Sequence, residues 1–314
     1  MSIDTRPVFF LSTPRNAELW LSLFEAALPE YRICTELSDA EAAEVRYLAA
    51  WHPPTGLFAR FTALEAVFAL GAGVDRFLHR TDLAPEVALV RLTDAGMAQQ
   101  MMEYVLAGVL RYQRDLDHYA AHQAAGHWQP LPGRLAGELR VSVLGMGEMG
   151  GAVAGALAGL GYPVSGWSRQ ARERAGVRCV HGWAALDGLL AETDILVNLL
   201  PNTPETHGLL NAERLGCLPS GAAVINAGRG EQLDEAALLA LLDSGHLRGA
   251  QLDVLAEEPP SPEHPFWRHP KILLTPHVAA KTLPEPSVAQ IADKLRALRK
   301  GEAVAGLVRR ERAY

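Results

Sequence analysis

Cysteine is scarce in this chain. Its three residues, Cys34, Cys179 and Cys217, are far apart and odd in number. They form no CxxC pair and no even framework, so neither a disulfide-stapled fold nor a cysteine metal site is expected. They read as reduced, mostly buried thiols, and no metal is assigned. Long apolar runs are missing as well. No stretch reaches the roughly 18 residues that mark a membrane-spanning helix. The opening MSIDTRPVFF lacks a basic segment leading into an apolar core, so no secretion signal is read. Positive charge is not in surplus either. Lys and Arg number 29 against 36 Asp and Glu, a net charge of −7. That balance argues against nucleic acid or an anionic membrane as a partner. The chain reads as soluble and cytoplasmic, with no internal repeat or low-complexity segment.

What is present is glycine at a defined spacing. Residues 141–150, VSVLGMGEMG, run a short apolar strand into Gly145, Gly147 and Gly150, and a small-residue helix follows at once. Gly145 permits a tight turn, Gly147 lets the backbone approach a pyrophosphate, and Gly150 lets the helix pack on its strand. Met146, Glu148 and Met149 complete that turn and open the helix whose N-terminus would face the anion. About 140 residues precede this dinucleotide fingerprint, enough for a domain of their own.

The next strand ends in SGWSR, residues 165–169, where an NAD site usually carries an acidic residue for the ribose 2′-hydroxyl. Here Ser168 and Arg169 stand instead. A carboxylate would repel a 2′-phosphate, whereas a guanidinium grips it bidentately. The expected coenzyme is therefore NADPH. The plainer alternative is that Arg169 and the following Arg172 and Arg174 are a solvated charge run.

Apolar runs and amphipathic segments alternate along the chain and imply an α/β fold with parallel sheets covered on both faces. In the first hundred residues strands are expected near 8–11, 31–34, 45–50, 63–70 and 87–90, with a helix over 14–28. A stripe at helical spacing over 97–119 predicts one long helix, followed by a looser stretch to 134 containing Trp128. From 138 onward, strands are expected at 139–144, 163–167, 177–180, 195–199, 222–226, 249–254 and 272–274. A last helix is predicted over 285–300.

Three further residues stand at predicted strand ends, where open α/β sheets place ligands. They are Arg229 in VINAGRG, Glu258 in LDVLAEEP and His277 in LTPHVAA. Singly, each has a bland reading: a surface arginine, a loop glutamate, a structural histidine. Glu257 adjoins Glu258, and Glu258 is preferred because it directly precedes Pro259.

Taken together, these segments resemble the D-isomer-specific 2-hydroxyacid dehydrogenases, most of all their short bacterial glyoxylate/hydroxypyruvate reductase branch of type A. The resemblance spans nearly the whole chain. It includes WHPP at 51–54, FALGAGVD at 68–75, the fingerprint, NLLPNT at 198–203, the Arg229 turn, the 253–259 loop and TPH at 275–277. Where the family often carries an aromatic residue, this chain has Leu255. The resemblance implies that Arg229, Glu258 and His277 are a catalytic trio reducing a small 2-keto acid, such as glyoxylate or hydroxypyruvate, with NADPH. His277 as imidazolium would give the carbonyl oxygen its proton, and Glu258 would hold the ring in its charged form. Arg229 would pair with the substrate carboxylate and polarise the carbonyl.

The same resemblance implies two Rossmann-like, doubly wound domains. A flavodoxin-like substrate domain would comprise 1–97 with 285–314, and an NADP-binding Rossmann domain 98–284. Leu200, Pro201, Ala227, Gly228, Asp253 and Ala279 would line the coenzyme, with Asp253 at the nicotinamide amide. A nest of backbone N–H groups at Ala72 and Gly73 would take the substrate carboxylate, and Trp51 would limit substrate size. Trp128 would lie in a segment crossing a homodimer partner. Two other readings stay open: a reductase for a bulkier acid such as 2-ketogluconate, and a coenzyme-sensing, corepressor-like binding protein.

Overall fold

Short apolar runs separated by turn residues build two parallel sheets, each in its own part of the chain. The computed structural model describes residues 4–310. One compact unit is Met97–Lys281, and the segments on either side of it make the other.

The flanking segments form a sheet of β1 (Val8–Ser12), β2 (Arg32–Cys34), β3 (Tyr47–Ala50), β4 (Ala66–Ala69) and β5 (Ala88–Val90). Its order is β2-β1-β3-β4-β5 with every pair parallel, the flavodoxin-like arrangement. β3 and β4 are buried at every position, as strands covered on both faces must be. The helix Ala17–Ala27 buries Trp20 and Phe24, and the Phe24 ring lies 5.2 Å from that of Phe9 on β1. The helix Pro284–Arg299 carries a proline in its first turn, where no backbone donor is lost. Its Arg296 Nε donates to Glu30 at 3.1 Å.

The second unit holds β6 (Val141–Leu144), β7 (Val164–Ser168), β8 (Arg178–His181), β9 (Ile195–Asn198), β10 (Ala222–Asn226), β11 (Leu247–Leu252) and β12 (Ile272–Leu274). The order β12-β11-β10-β9-β6-β7-β8 is parallel throughout. It is the Rossmann order with β12 added beside β11, and it reverses direction between β6 and β9. Val141 of β6 pairs with Ile195 on one side and Val164 on the other, fixing the register there. The doubly wound α/β expectation holds for both sheets. Among the described residues, no helix is long and apolar enough to cross a membrane.

Some local expectations are corrected. The single helix over 97–119 is two, Met97–Gln113 and Leu116–Ala124. Asp115 between them adopts a left-handed backbone, φ 54, which cannot continue a right-handed helix. Its carboxylate is held there by Arg134 at 2.9 Å and Arg248 at 2.7 Å. The helix expected from 14 starts only at Ala17, because Asn16 is also left-handed at φ 51. The strand expected over 63–70 shrinks to β4, since Phe61 and Leu64 are used in turns before it. All three cysteines are free and largely buried, though none is fully so. Cys34 and Cys179 sit on β2 and β8, the edge strands of their sheets, where one flank stays open.

Candidate active site

Most of the sequence-predicted residues lie in loops at the C-terminal ends of β6, β7, β9, β10, β11 and β12. β6 ends at Leu144, and the helix Glu148–Gly159 begins with Gly147 as its cap, which supplies no side chain to the leading amides. Gly145 has φ +98, and a Cβ there would fall 2.7 Å from the Leu199 carbonyl oxygen. A Cβ on Gly150 would come within 1.7 Å of the Gly145 carbonyl oxygen, so helix and turn are in backbone contact. At Gly147 a Cβ would meet nothing within 4 Å. An open approach, uncapped amides and a positive helix end fit the pyrophosphate of a dinucleotide. Met146 is buried, Met149 half-buried and Glu148 exposed around this turn.

At the end of β7, Ser168 Oγ donates to the Gln170 carbonyl at 2.7 Å. Arg169 forms an ion pair with Glu205, from the loop after β9. The guanidinium expected to meet a 2′-phosphate thus faces a carboxylate. In the same loop Leu200 is buried and Pro201 exposed.

Behind the Arg229 turn lies a polar network that sequence reasoning did not assign. Asn198, Asn226 and Gln232 are all fully buried. Asn198 Nδ2 donates to Asn226 Oδ1 at 2.9 Å and to Gln232 Oε1 at 2.6 Å. Gln232 Nε2 reaches the Pro201 carbonyl at 2.7 Å, and Gln232 Oε1 takes the Arg229 amide at 3.2 Å. Asn226 serves the same turn, accepting from the Gly228 amide and donating to the Arg229 carbonyl, each at 3.2 Å. Buried amides tolerate this only when their partners are in place, so the network holds the Arg229 backbone to the 198–206 loop. The sequence signal was available: two successive apolar strands, β9 and β10, each end in asparagine. Arg229 itself is half-buried, with Nη1 donating to the Gly228 carbonyl at 2.8 Å. Ala227 and Gly228 are buried beneath it.

The loops after β11 and β12 bring Glu258 and His277 together. His277 Nδ1 lies 2.7 Å from Glu258 Oε2, while Glu258 Oε1 accepts the Leu255 amide at 3.0 Å. Glu257, the neighbouring acid, points its residue to solvent. His277 is left-handed, φ 53, a conformation that non-glycine residues hold only when their surroundings impose it. Asp253 does so. Its carbonyl accepts the His277 amide at 2.9 Å, and its carboxylate accepts from Val278 N and Ala279 N, both at 2.8 Å. Thr275 Oγ1 also donates to Asp253 at 2.7 Å and is itself met by Tyr104 Oη at 2.7 Å. Burial pushes the Tyr104 phenol up to about 12, so it stays a neutral donor in this chain of hydroxyls. Asp253, which the resemblance places at the nicotinamide amide, also clamps the backbone carrying His277. Ala279 is buried in that clamp.

In the other unit, Trp51 is half-buried just after β3, its amide donating to the Ser12 carbonyl at 2.7 Å. Ala72 and Gly73 lie in the turn between β4 and the short helix Asp75–Leu78, half-buried and exposed respectively. Trp128 is fully solvent-exposed, with a relative exposure of 101%.

The chain is similar to known proteins over nearly its whole length. The model of the D-isomer specific 2-hydroxyacid dehydrogenase, NAD binding domain, matches residues 106–279. A glyoxylate/hydroxypyruvate reductase A of Salmonella paratyphi B is 42% identical over 98% of this chain and 99% of its own. A D-isomer specific 2-hydroxyacid dehydrogenase from Xanthobacter autotrophicus Py2, solved with NADPH and MES, superposes with TM-score 0.93 at 42% identity, covering 98% of this chain and 99% of that one. An NADPH-dependent glyoxylate/hydroxypyruvate reductase from Sinorhizobium meliloti, solved with NADP and sulfate, gives TM-score 0.92 at 33% identity over 98% and 100% of the two chains. With the fingerprint turn, the His277–Glu258 pair and full-length similarity all in agreement, this chain belongs to the D-isomer specific 2-hydroxyacid dehydrogenase family.

Proposed function

We propose that this chain reduces small 2-keto acids, glyoxylate and hydroxypyruvate among them, with NADPH, and that His277 is the proton donor. The observation that carries the reading is the 2.7 Å contact between His277 Nδ1 and Glu258 Oε2. A carboxylate on Nδ1 fixes the hydrogen there and leaves Nε2 to meet substrate. The relatives named above, with their NADPH and NADP complexes, support the coenzyme and the substrate class.

The residues divide the work. The Gly145–Gly150 turn and the amides of the following helix would hold the pyrophosphate, and Arg169 with Ser168 the 2′-phosphate. When bound, NADPH supplies the hydride for the carbonyl carbon. Arg229 would pair with the substrate carboxylate and stabilise negative charge growing on the carbonyl oxygen. His277 Nε2 would pass its proton to that oxygen, leaving a neutral ring whose remaining hydrogen stays on Nδ1 against Glu258. The product is the 2-hydroxy acid. Backbone amides at Ala72 and Gly73 are assigned to the substrate carboxylate, and Trp51 to limiting its size.

A cytoplasmic homodimer completes the proposal. The family resemblance puts Trp128, whose indole is fully exposed, in a segment that crosses the partner. A panel of glyoxylate, hydroxypyruvate, pyruvate, phenylpyruvate and 2-ketogluconate, followed by NADPH oxidation, tests the activity. Fastest turnover is expected on glyoxylate and hydroxypyruvate. Oxidation with none of them would instead support a coenzyme-binding role without catalysis.

A further inference from the structure

A second histidine–glutamate pair stands one step behind the first. The helix Glu235–Asp243 opens with Glu235, after Asp234 caps it by accepting the Ala237 amide at 2.9 Å. Glu235 Oε1 accepts the Ala256 amide at 3.1 Å, and its Oε2 meets His264 Nε2 at 3.1 Å. His264 Nδ1 accepts the Phe266 amide at 3.4 Å, so it carries no hydrogen there and Nε2–H is the donor to Glu235. The His264 ring stands edge-on to Phe266 at 4.8 Å, and Phe266 is 1% exposed, so this histidine is anchored to the core.

The amides involved are consecutive. Leu255 N seats Glu258 at 3.0 Å, and the next amide, Ala256 N, is the one Glu235 holds. The peptide between them also has a second backbone neighbour. A Cβ on Gly230 would lie 1.8 Å from the Leu255 carbonyl carbon and 2.3 Å from Ala256 N, so that peptide rests directly on the turn after Arg229. The backbone that carries Glu258 is therefore held both by its contact with Gly230 and by the Glu235 carboxylate. Neither Glu235 nor His264 touches His277.

The geometry points to Glu235 and His264 as positioning residues for the His277–Glu258 pair, holding the Leu255–Ala256 peptide where Glu258 can meet the imidazole. This rests on His277 being the proton donor. Misplacing a general acid by a fraction of an ångström lowers turnover without weakening coenzyme binding.

The test uses the full-length protein with glyoxylate and NADPH, measuring kcat across pH, the KM for NADPH, and the thermal midpoint. Glu235→Ala is expected to lower kcat about tenfold. It should move the alkaline limb of the kcat profile towards that of Glu258→Gln, with the KM for NADPH within about twofold. Glu235→Gln keeps an oxygen for the Ala256 amide and should restore most of the turnover. His264→Ala, which removes the second contact while leaving Glu235, should show the Glu235→Ala profile in weaker form and serves if that variant does not fold. If Glu258→Gln shifts the profile while Glu235→Ala and His264→Ala change only the thermal midpoint, the pair is merely structural and the proposal is overturned. If Glu258→Gln itself leaves the profile unchanged, the proton-donor reading fails, and the proposal falls with it.

Discussion

His277 and Glu258 meet through Nδ1 and Oε2 at 2.7 Å, although they come from different loops and His277 must adopt a left-handed backbone to do so. A general acid supplied by a side chain contributes roughly 10²–10⁴-fold to a rate. His277→Ala should therefore lose turnover within that range, with the NADPH KM nearly unchanged. Steady-state kinetics on glyoxylate decide it, and a fully active variant would remove His277 from proton transfer.

Coenzyme choice should respond to both members of the Arg169–Glu205 ion pair. Arg169→Ala should weaken NADPH by about tenfold or more while leaving NADH largely unaffected, because only the 2′-phosphate needs the guanidinium. Glu205→Gln removes the carboxylate that faces this guanidinium. An exposed ion pair is worth about 1 kcal/mol at most, so NADPH should tighten by no more than roughly fivefold. Fluorescence titration with both coenzymes measures this. Equal losses for NADH and NADPH in Arg169→Ala would place the arginine outside the phosphate site.

Gly230 has no room for a side chain, since its Cβ would overlap the Leu255–Ala256 peptide. Gly230→Ala must push that backbone away. A destabilisation of about 1–3 kcal/mol is expected, together with a fall in kcat as Glu258 shifts. Urea unfolding gives the first number and kinetics the second. A variant as stable as the parent would show that the peptide yields freely.

Lys294 offers a pH test away from the active site. Its Nζ donates to the Arg91 carbonyl and to Gln290 Oε1, both at 2.8 Å, and it is 7% exposed. Burial, with the neighbouring Arg91 charge adding to it, lowers its ammonium from the usual 10.5 to about 8. Between those two values the unfolded chain holds the proton and the folded one does not. Stability from this group therefore rises as pH increases from about 8 to 10.5 and is lowest below 8, a swing of about 3 kcal/mol. Comparing urea unfolding of the parent with Lys294→Met across that range isolates the effect. Parallel curves would mean that the ammonium is not destabilised by burial.

Much of this architecture was readable from local pattern. The apolar strands of both sheets stand out because parallel strands covered on both faces are apolar at nearly every position. The boundaries read less well. Nothing in the helical stripe over 97–119 announces the break at Asp115, because what holds that residue left-handed is Arg134 and Arg248, the latter 133 positions away in sequence. At the site, Arg229, Glu258 and His277 were legible as polar residues closing apolar strands. Glu235 and His264 were not, since a glutamate in a helix's first turn and a histidine before proline have ordinary local explanations.

The sequence by itself determined the coenzyme turn and the identity of the residues at the strand ends. Both depend largely on local backbone geometry: Gly145 turns at φ +98, and Gly150 packs on the Gly145 carbonyl five residues before it. The tertiary structure decided what those residues touch. Asp253 clamps the His277 loop, Glu205 faces Arg169, and Asn198, Asn226 and Gln232 converge behind Arg229. Each contact joins groups from different strand ends. Only the parallel register of the seven-stranded sheet brings those ends together, and no local spacing encodes it.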